Sequence, residues 1–329
     1  MVRHTKTGSN SLRPAAVHTR GLTKRYGDTW ALRDLDLDVP TGTVLGLLGH
    51  NGAGKTTAIR ILTTLAVPTA GTAAVAGHDV ATHPHLVRRS IGVAAQQATV
   101  DGLLTAQANL VMVGRLYGLP RREAARRAGE LLERFGLADQ AGDLVKTFSG
   151  GMRRRLDLAA SLVPQPAVLF LDEPTTGLDP RSRGDLWDTL RDLVRDGTTI
   201  VLTTQYLEEA DRLADDIVVL DHGRTVAHGT PAALKAEVGG DRIDIAVAGP
   251  DDLPVALDAT ERFAARPAAA DHDARIVTVP VAAGVRLIDV VRALDDAGVD
   301  AVDANRRSAS LDDVFLTLTA PETPEEMSA

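Results

Sequence analysis

The sequence predicts an α/β domain on a largely parallel sheet, followed by a smaller α+β domain. Three observations carry this. Strand-like and helix-like segments alternate through the first two thirds of the chain, the pattern of a sheet with helices packed on it. Several of those strands are near-continuous apolar runs, as burial demands. After Gly239-Gly240 the composition changes and a second, more acidic alternation begins. A length of 329 residues suits about two domains of ~100–200 residues each.

Residues 1–16 are polar and basic with no apolar core, and read as a flexible tail, not a signal peptide. In LRDLDLDVP (32–40), Leu35, Leu37 and Val39 alternate with aspartates, a half-buried strand. TVLGLLG (43–49) follows as an apolar strand, and further strands read at 91–95, 167–171, 198–204 and 216–221. Helical patterns intervene at 121–136 and 183–197. Residues 98–165 are richer in helix than strand, a helical insertion in a first domain spanning 17–235. The glycine pair marks a linker. Residues 241–320 then read strand (RIDIAVA), helix, strand (ARIVTVPV), helix, strand and a last helix. Leu287, Val290, Val291 and Leu294 share one helix face. Ser310 with Asp313 starts the last helix as an N-cap pair, and Leu311, Val314, Phe315 and Leu318 make its apolar stripe. Residues 321–329 read as a second tail.

Composition sets bounds. Apolar residues make up 44% and charged residues 24%, enough for a core. There is no cysteine, which excludes disulfides and thiolate metal sites. The net charge of −8 is uneven: from Asp241 onward there are 8 basic and 18 acidic residues, which argues against nucleic acid as a partner of that part. No apolar run reaches the ~18–20 residues that span a bilayer, so any membrane role must come through another polypeptide.

GHNGAGKT (49–56) fits the phosphate-loop pattern, and it lies between a buried strand and a helix-compatible run,. Glycines let the backbone N–H groups turn inward onto phosphate oxygens, and the following helix adds its positive end. The nucleotide-binding set is Gly49, Asn51, Gly52, Ala53, Gly54, Lys55, Thr56 and Thr57. Lys55 would reach the terminal phosphates and Thr56 would offer a hydroxyl to Mg²⁺. His50 would contribute only backbone, and no other histidine falls in a ligand-like spacing. AVLFLDE (167–173) ends an apolar strand on two carboxylates, at the sheet edge where ligands bind. Asp172 would hold Mg²⁺ through its water shell, and Glu173 would act as general base on the attacking water. FSGGMRRRLDLA (148–159) opens a second anion-binding turn at a helix start,. Two such sites could close on one nucleotide or share two with a twin; spacing does not decide. Arg153–Arg155 could feed charge to the phosphate site, but reads rather as a solvated helix face.

These stretches, with TTGLDP (175–180), resemble the nucleotide-binding subunit of an ABC transporter, in that family's order and over about residues 17–235. The resemblance implies a P-loop ATPase fold with a helical subdomain, ATP and Mg²⁺ as ligands, and a head-to-tail homodimer formed on ATP binding. It implies that Ser149, Gly150 and Gly151 contact the γ-phosphate across the dimer, that Asp179 links the two sites, and that Tyr26 stacks on adenine. Gln96, or its neighbour Gln97, resembles the glutamine that senses Mg²⁺ and water and couples to the membrane partner. Phe148 departs from the usual leucine at the start of the signature. Gln205, in TTQYLEEAD (203–211), stands where most members carry histidine. It keeps a donor and an acceptor but carries no charge, so positioning can persist, any imidazolium contribution is lost, and hydrolysis is expected to continue at a reduced rate. Glu208 and Glu209 follow in a helical first turn, which favours acids.

TTQYLEEAD and the end SLDDVFLTLT further resemble the daunorubicin/doxorubicin resistance type. That type implies a peripheral ATPase on the cytoplasmic face of the cell membrane, driving drug export through a separate integral-membrane subunit. The extension also occurs on lipid and polysaccharide exporters, and its role could be dimer stabilisation or docking. A soluble non-transport ATPase or an ATP-sensing regulator are readings from other classes.

Overall fold

A computed structural model describes residues 15–95, 99–237, 241–282, 284–307 and 310–319. The chain divides into two units, one ending at His228 and one beginning at Gly229.

The first unit opens with β1 (Ala15–Tyr26) and β2 (Thr29–Pro40), then β3 (Val44–Leu48) and α1 (Lys55–Leu62). β4 (Ala70–Val75), β5 (His78–Asp79), α2 (Pro84–Ser90) and β6 (Ile91–Ala94) follow. Three helices, α3 (Ala106–Leu116), α4 (Arg121–Arg134) and α5 (Gly150–Ser161), separate β6 from β7 (Val168–Asp172). The unit ends with α6 (Pro180–Arg195), β8 (Thr199–Thr204), α7 (Leu207–Leu213), β9 (Asp216–Asp221) and β10 (Arg224–Gly229). Its main sheet runs β10-β9-β3-β8-β7-β6, and β9, β3, β8, β7 and β6 are mutually parallel.

β3, β7 and β8 are buried at every residue. Their alternation still matters, because it sends neighbours to different cores. Val168, Phe170 and Val201 join one cluster with Leu35, Leu37 and Ile61; Leu169, Leu171, Ile200 and Leu202 join the other with Leu131, Leu156 and Leu190. The first cluster is roofed by an antiparallel sheet, β2-β1-β4-β5. The sequence reading found only β2 of that sheet. β1 hides because its buried face includes Thr19 and Thr23, and because its pairing with β2 shifts register four times, which breaks the period of two.

The second unit holds α8 (Pro231–Glu237), β11 (Arg242–Val247), α9 (Asp252–Thr260), β12 (Ala269–Asp271), β13 (Ile276–Pro280), α10 (Leu287–Asp296), β14 (Ala301–Arg307) and α11 (Leu311–Thr319). Its sheet runs β12-β13-β11-β14, all antiparallel. With β-α-β-β-α-β order this is a ferredoxin-like arrangement. Ile243, Ile245, Val277 and Val279 meet Leu253, Val290 and Leu294 in its core. Ser310 and Asp313 do cap α11 reciprocally: Asp313 N–H donates to Ser310 Oγ at 3.2 Å, and Ser310 N–H donates to Asp313 Oδ2 at 3.0 Å.

Candidate active site

The site grows from the end of β3. Gly49 adopts φ +154°, and a Cβ there would lie 2.4 Å from the Leu220 carbonyl oxygen. Gly54 sits at φ +109°, where a Cβ would lie 2.6 Å from the Ala31 carbonyl oxygen. No side chain fits at either, so glycine sets how tightly the loop wraps. Gly54 also starts α1 without a side-chain cap, which leaves the helix's first N–H groups for a ligand.

Lys55 threads back inside the loop. Its ammonium donates to the Gly49 carbonyl at 2.6 Å and the His50 carbonyl at 3.2 Å. Burial pulls its pKa down from the ordinary lysine value, and the carboxylates of Glu173 and Asp172 oppose that fall. The ammonium is thereby desolvated beside two carboxylates that favour its charged form,.

The cleft over the loop is lined by Ala31, His50, Asn51, Gly52, Gly54, Lys55, Thr56, Thr57 and Glu173. At its floor the Thr56 hydroxyl lies 3.3 Å from Asp172 Oδ2. Asp172 also accepts a bond from the buried Thr203 hydroxyl. A hydroxyl beside a carboxylate is the hard oxygen set that suits Mg²⁺. Glu173 takes a left-handed φ of +48°, unusual for a side chain with a Cβ and common where function holds a residue in place. The strain is held by its N–H, which donates to the Thr203 carbonyl at 3.0 Å, while the Thr176 hydroxyl donates to Glu173 Oε2 at 3.3 Å.

The second turn is equally defined. Ser149 caps α5, accepting from the Met152 N–H at 3.2 Å, and both Ser149 and Gly150 are exposed. Asp179 caps α6, accepting from the Ser182 N–H at 3.0 Å and the Ser182 hydroxyl at 2.6 Å. Those bonds from Ser182 hold the Asp179 carboxyl below its ordinary pKa. A Cβ on Gly151 would lie 2.9 Å from Ser182 Oγ, so the two capped helix starts touch.

Residues 32–176 match the family described as ABC transporter. Over 309 residues the chain is 54% identical to the daunorubicin resistance ATP-binding protein DrrA2 of Streptomyces coeruleorubidus, covering 94% of this chain and 96% of that protein. The chain belongs to the ABC transporter family. It is also 49% identical to the daunorubicin/doxorubicin resistance ATP-binding protein DrrA of Streptomyces peucetius, with 92% of each covered. Among solved structures it resembles a dimeric ATP-binding cassette in a post-hydrolysis state bound to ADP and Pi, at TM-score 0.59 and 26% identity. That likeness covers 65% of this chain and 98% of that one.

Within this ABC ATPase fold not every expected residue meets the cleft. Tyr26 ends β1 at 46% exposure, with the Lys24 ammonium 4.8 Å from its ring centre; the cleft lining includes Ala31 but not Tyr26. Gln205 is exposed just past β8. Because Asp172 pairs with Thr203, it emerges at the same sheet edge as Glu173. Gln96 and Gln97 lie outside the described residues.

One reading is overturned. Arg154 does not lie on a solvated face; it is 8% exposed. It donates to the carbonyls of Pro174 at 2.8 Å, Ala95 at 2.5 Å, Asp172 at 3.3 Å and Glu173 at 3.4 Å. Arg154, Asp157, Leu158 and Ser161 share one helix face, and all four are buried; three of them are polar, so the sequence carries no apolar stripe to mark that face.

Glu209 is likewise fully buried rather than merely at a favourable helix start. Burial raises its pKa above 4.5, opposed by the Trp187 indole N–H, which donates to Glu209 Oε1 at 3.2 Å, and by the nearby Arg154 guanidinium. Folding therefore favours the protonated acid, and its stabilisation is lost as pH rises from 4.5 through the raised value. Glu209→Gln is expected to melt above the wild type at pH 8, with the gap closing as pH falls toward 4.5. Parallel melting curves at all pH values would contradict this.

Proposed function

We propose that this chain is the ATP-hydrolysing subunit of a drug exporter, acting at the membrane surface on a separate membrane-spanning subunit. The observation that carries the reading is the convergence of Lys55, Thr56 and Glu173 on one cleft, with Asp172 beneath Thr56. High identity to daunorubicin resistance ATP-binding proteins over nearly the whole chain supports the drug class. No helix among the described residues is long and apolar enough to cross a membrane.

Each residue has a defined task. The phosphate-loop N–H groups and the α1 start receive the β- and γ-phosphates. Lys55 neutralises charge on the terminal phosphate. Thr56 and Asp172 would hold Mg²⁺, which when bound would neutralise the charge developing on the phosphate. Glu173 takes the proton of the attacking water, and Gln205 orients that water from the neighbouring strand end. Ser149, Gly150 and Gly151 present an exposed helix start to the nucleotide of a second copy, and Asp179 carries the state of one site to the other.

Ser149→Arg tests the dimer. The substituent blocks the exposed turn without touching the phosphate loop, so ATP affinity of the monomer should stay within about twofold of wild type. ATP-dependent dimerisation by sizing chromatography and light scattering should be lost. A dimer that survives the substitution would refute the cross-copy role of the serine–glycine turn.

A further inference from the structure

At the edge of the phosphate loop, three side chains with metal-binding donors converge. Among the described residues, His50, Asp221 and His222 are the group whose ligand atoms all lie within 4.8 Å of one another. His50 Nε2 lies 2.8 Å from Asp221 Oδ1, across 171 positions of sequence. His222 Nε2 lies 3.9 Å from the same oxygen. The two imidazole rings meet edge to face at 5.3 Å between centroids.

The backbone around them is fixed. Gly223 N–H donates to the Ala53 carbonyl at 3.0 Å, and Arg33 N–H donates to the Gly223 carbonyl at 2.7 Å, so the turn between β9 and β10 is stitched to the loop. His222 holds a left-handed φ of +43°, while its side chain is 84% exposed and free to swing.

We propose that His50, Asp221 and His222 bind a zinc-class transition metal ion, distinct from the Mg²⁺ of the phosphate site. Two imidazoles and a carboxylate suit Zn²⁺ or Co²⁺ and do not suit Mg²⁺, which takes oxygen donors. Metal–ligand bonds of about 2.0–2.1 Å put tetrahedral ligand atoms roughly 3.3 Å apart, and the observed 2.8 and 3.9 Å separations straddle that value. The ion replaces the proton between His50 and Asp221, and His222 closes from solvent. Three protein ligands leave a fourth position open. Because His50 also lines the nucleotide cleft, the ion braces the loop to the β9–β10 turn.

The test uses the full chain without a histidine tag, free of nucleotide and in excess Mg²⁺. Titration with Co²⁺ is expected to give one saturable site per chain with the strong visible absorption of a four-coordinate ion, displaced by Zn²⁺. His222→Asn keeps a residue that tolerates positive φ and should weaken binding at least ~10-fold, the least that even outer-shell losses cost. Asp221→Asn should do the same, while His18→Asn, on β1, should bind as wild type does. The melting temperature of the wild type should rise with Zn²⁺, and that of His222→Asn should not. Unchanged affinity in both site variants, weak six-coordinate absorption, or no saturable binding would each overturn the proposal.

Discussion

Glu173→Gln is expected to bind Mg·ATP with near wild-type affinity and to hydrolyse it ~10²–10⁴-fold more slowly, the usual range for losing a general base. The substitution keeps shape and reach. The backbone strain at φ +48°, the N–H bond to Thr203 and the contact with Thr176 all survive, because none needs a charge on the side chain. What disappears is an oxygen basic enough to accept a proton from water. The loss should therefore fall on kcat with little change in KM, and ATP-bound dimers should accumulate. Equal turnover in the two proteins would move the base elsewhere. Gln205→Ala should cost less, since Gln205 can orient water but cannot take its proton.

That site was legible in the sequence wherever one residue type is forced. Gly49 and Gly54 could be read because no Cβ fits against Leu220 or Ala31. β7 could be read because all five of its residues are buried, and the acids appear only where it emerges. The parts that escaped depend on partners distant in sequence. β1 is a strand because β2 and β4 flank it, and its own pattern is irregular. Ala31 lines the cleft with nothing but its position to mark it. His50 looked inert because Asp221 lies 171 residues away. Arg154 looked solvated because three adjacent arginines resemble a charged surface, although the helix buries the middle one and half-buries its neighbours against the Val145 and Phe135 carbonyls.

Arg154 is the position where that distinction has its largest structural consequence. Arg154→Leu is expected to destabilise the protein by about 3–5 kcal/mol, the cost of removing one partner from a buried charge network. Its guanidinium bonds carbonyl oxygens at Ala95, after β6, and at Asp172, Glu173 and Pro174, at the end of β7. Each acceptor left unsatisfied costs about 1–3 kcal/mol. Asp157, whose side chain has 0% exposure, would lose its cation, though the Thr99 N–H and hydroxyl, both at 2.7 Å, still donate to it. Burial lowers the Arg154 pKa, while Asp157, Glu209 and Asp172 oppose that shift. Arg154→Lys should recover only part of the loss, because one ammonium cannot span acceptors that a planar five-donor fork reaches together. Denaturant midpoints of the two variants measure this directly, and a shift near zero in both would show that the carbonyls need no such clasp. The same contacts tie function to stability. Ser149 caps α5, and five residues on, Arg154 grips the backbone of Asp172 and Glu173. Arg154→Lys, if folded, should therefore lose kcat by more than its fall in ATP affinity, since it loosens Glu173 and Asp172, the proposed base and metal ligand, while leaving the phosphate loop intact.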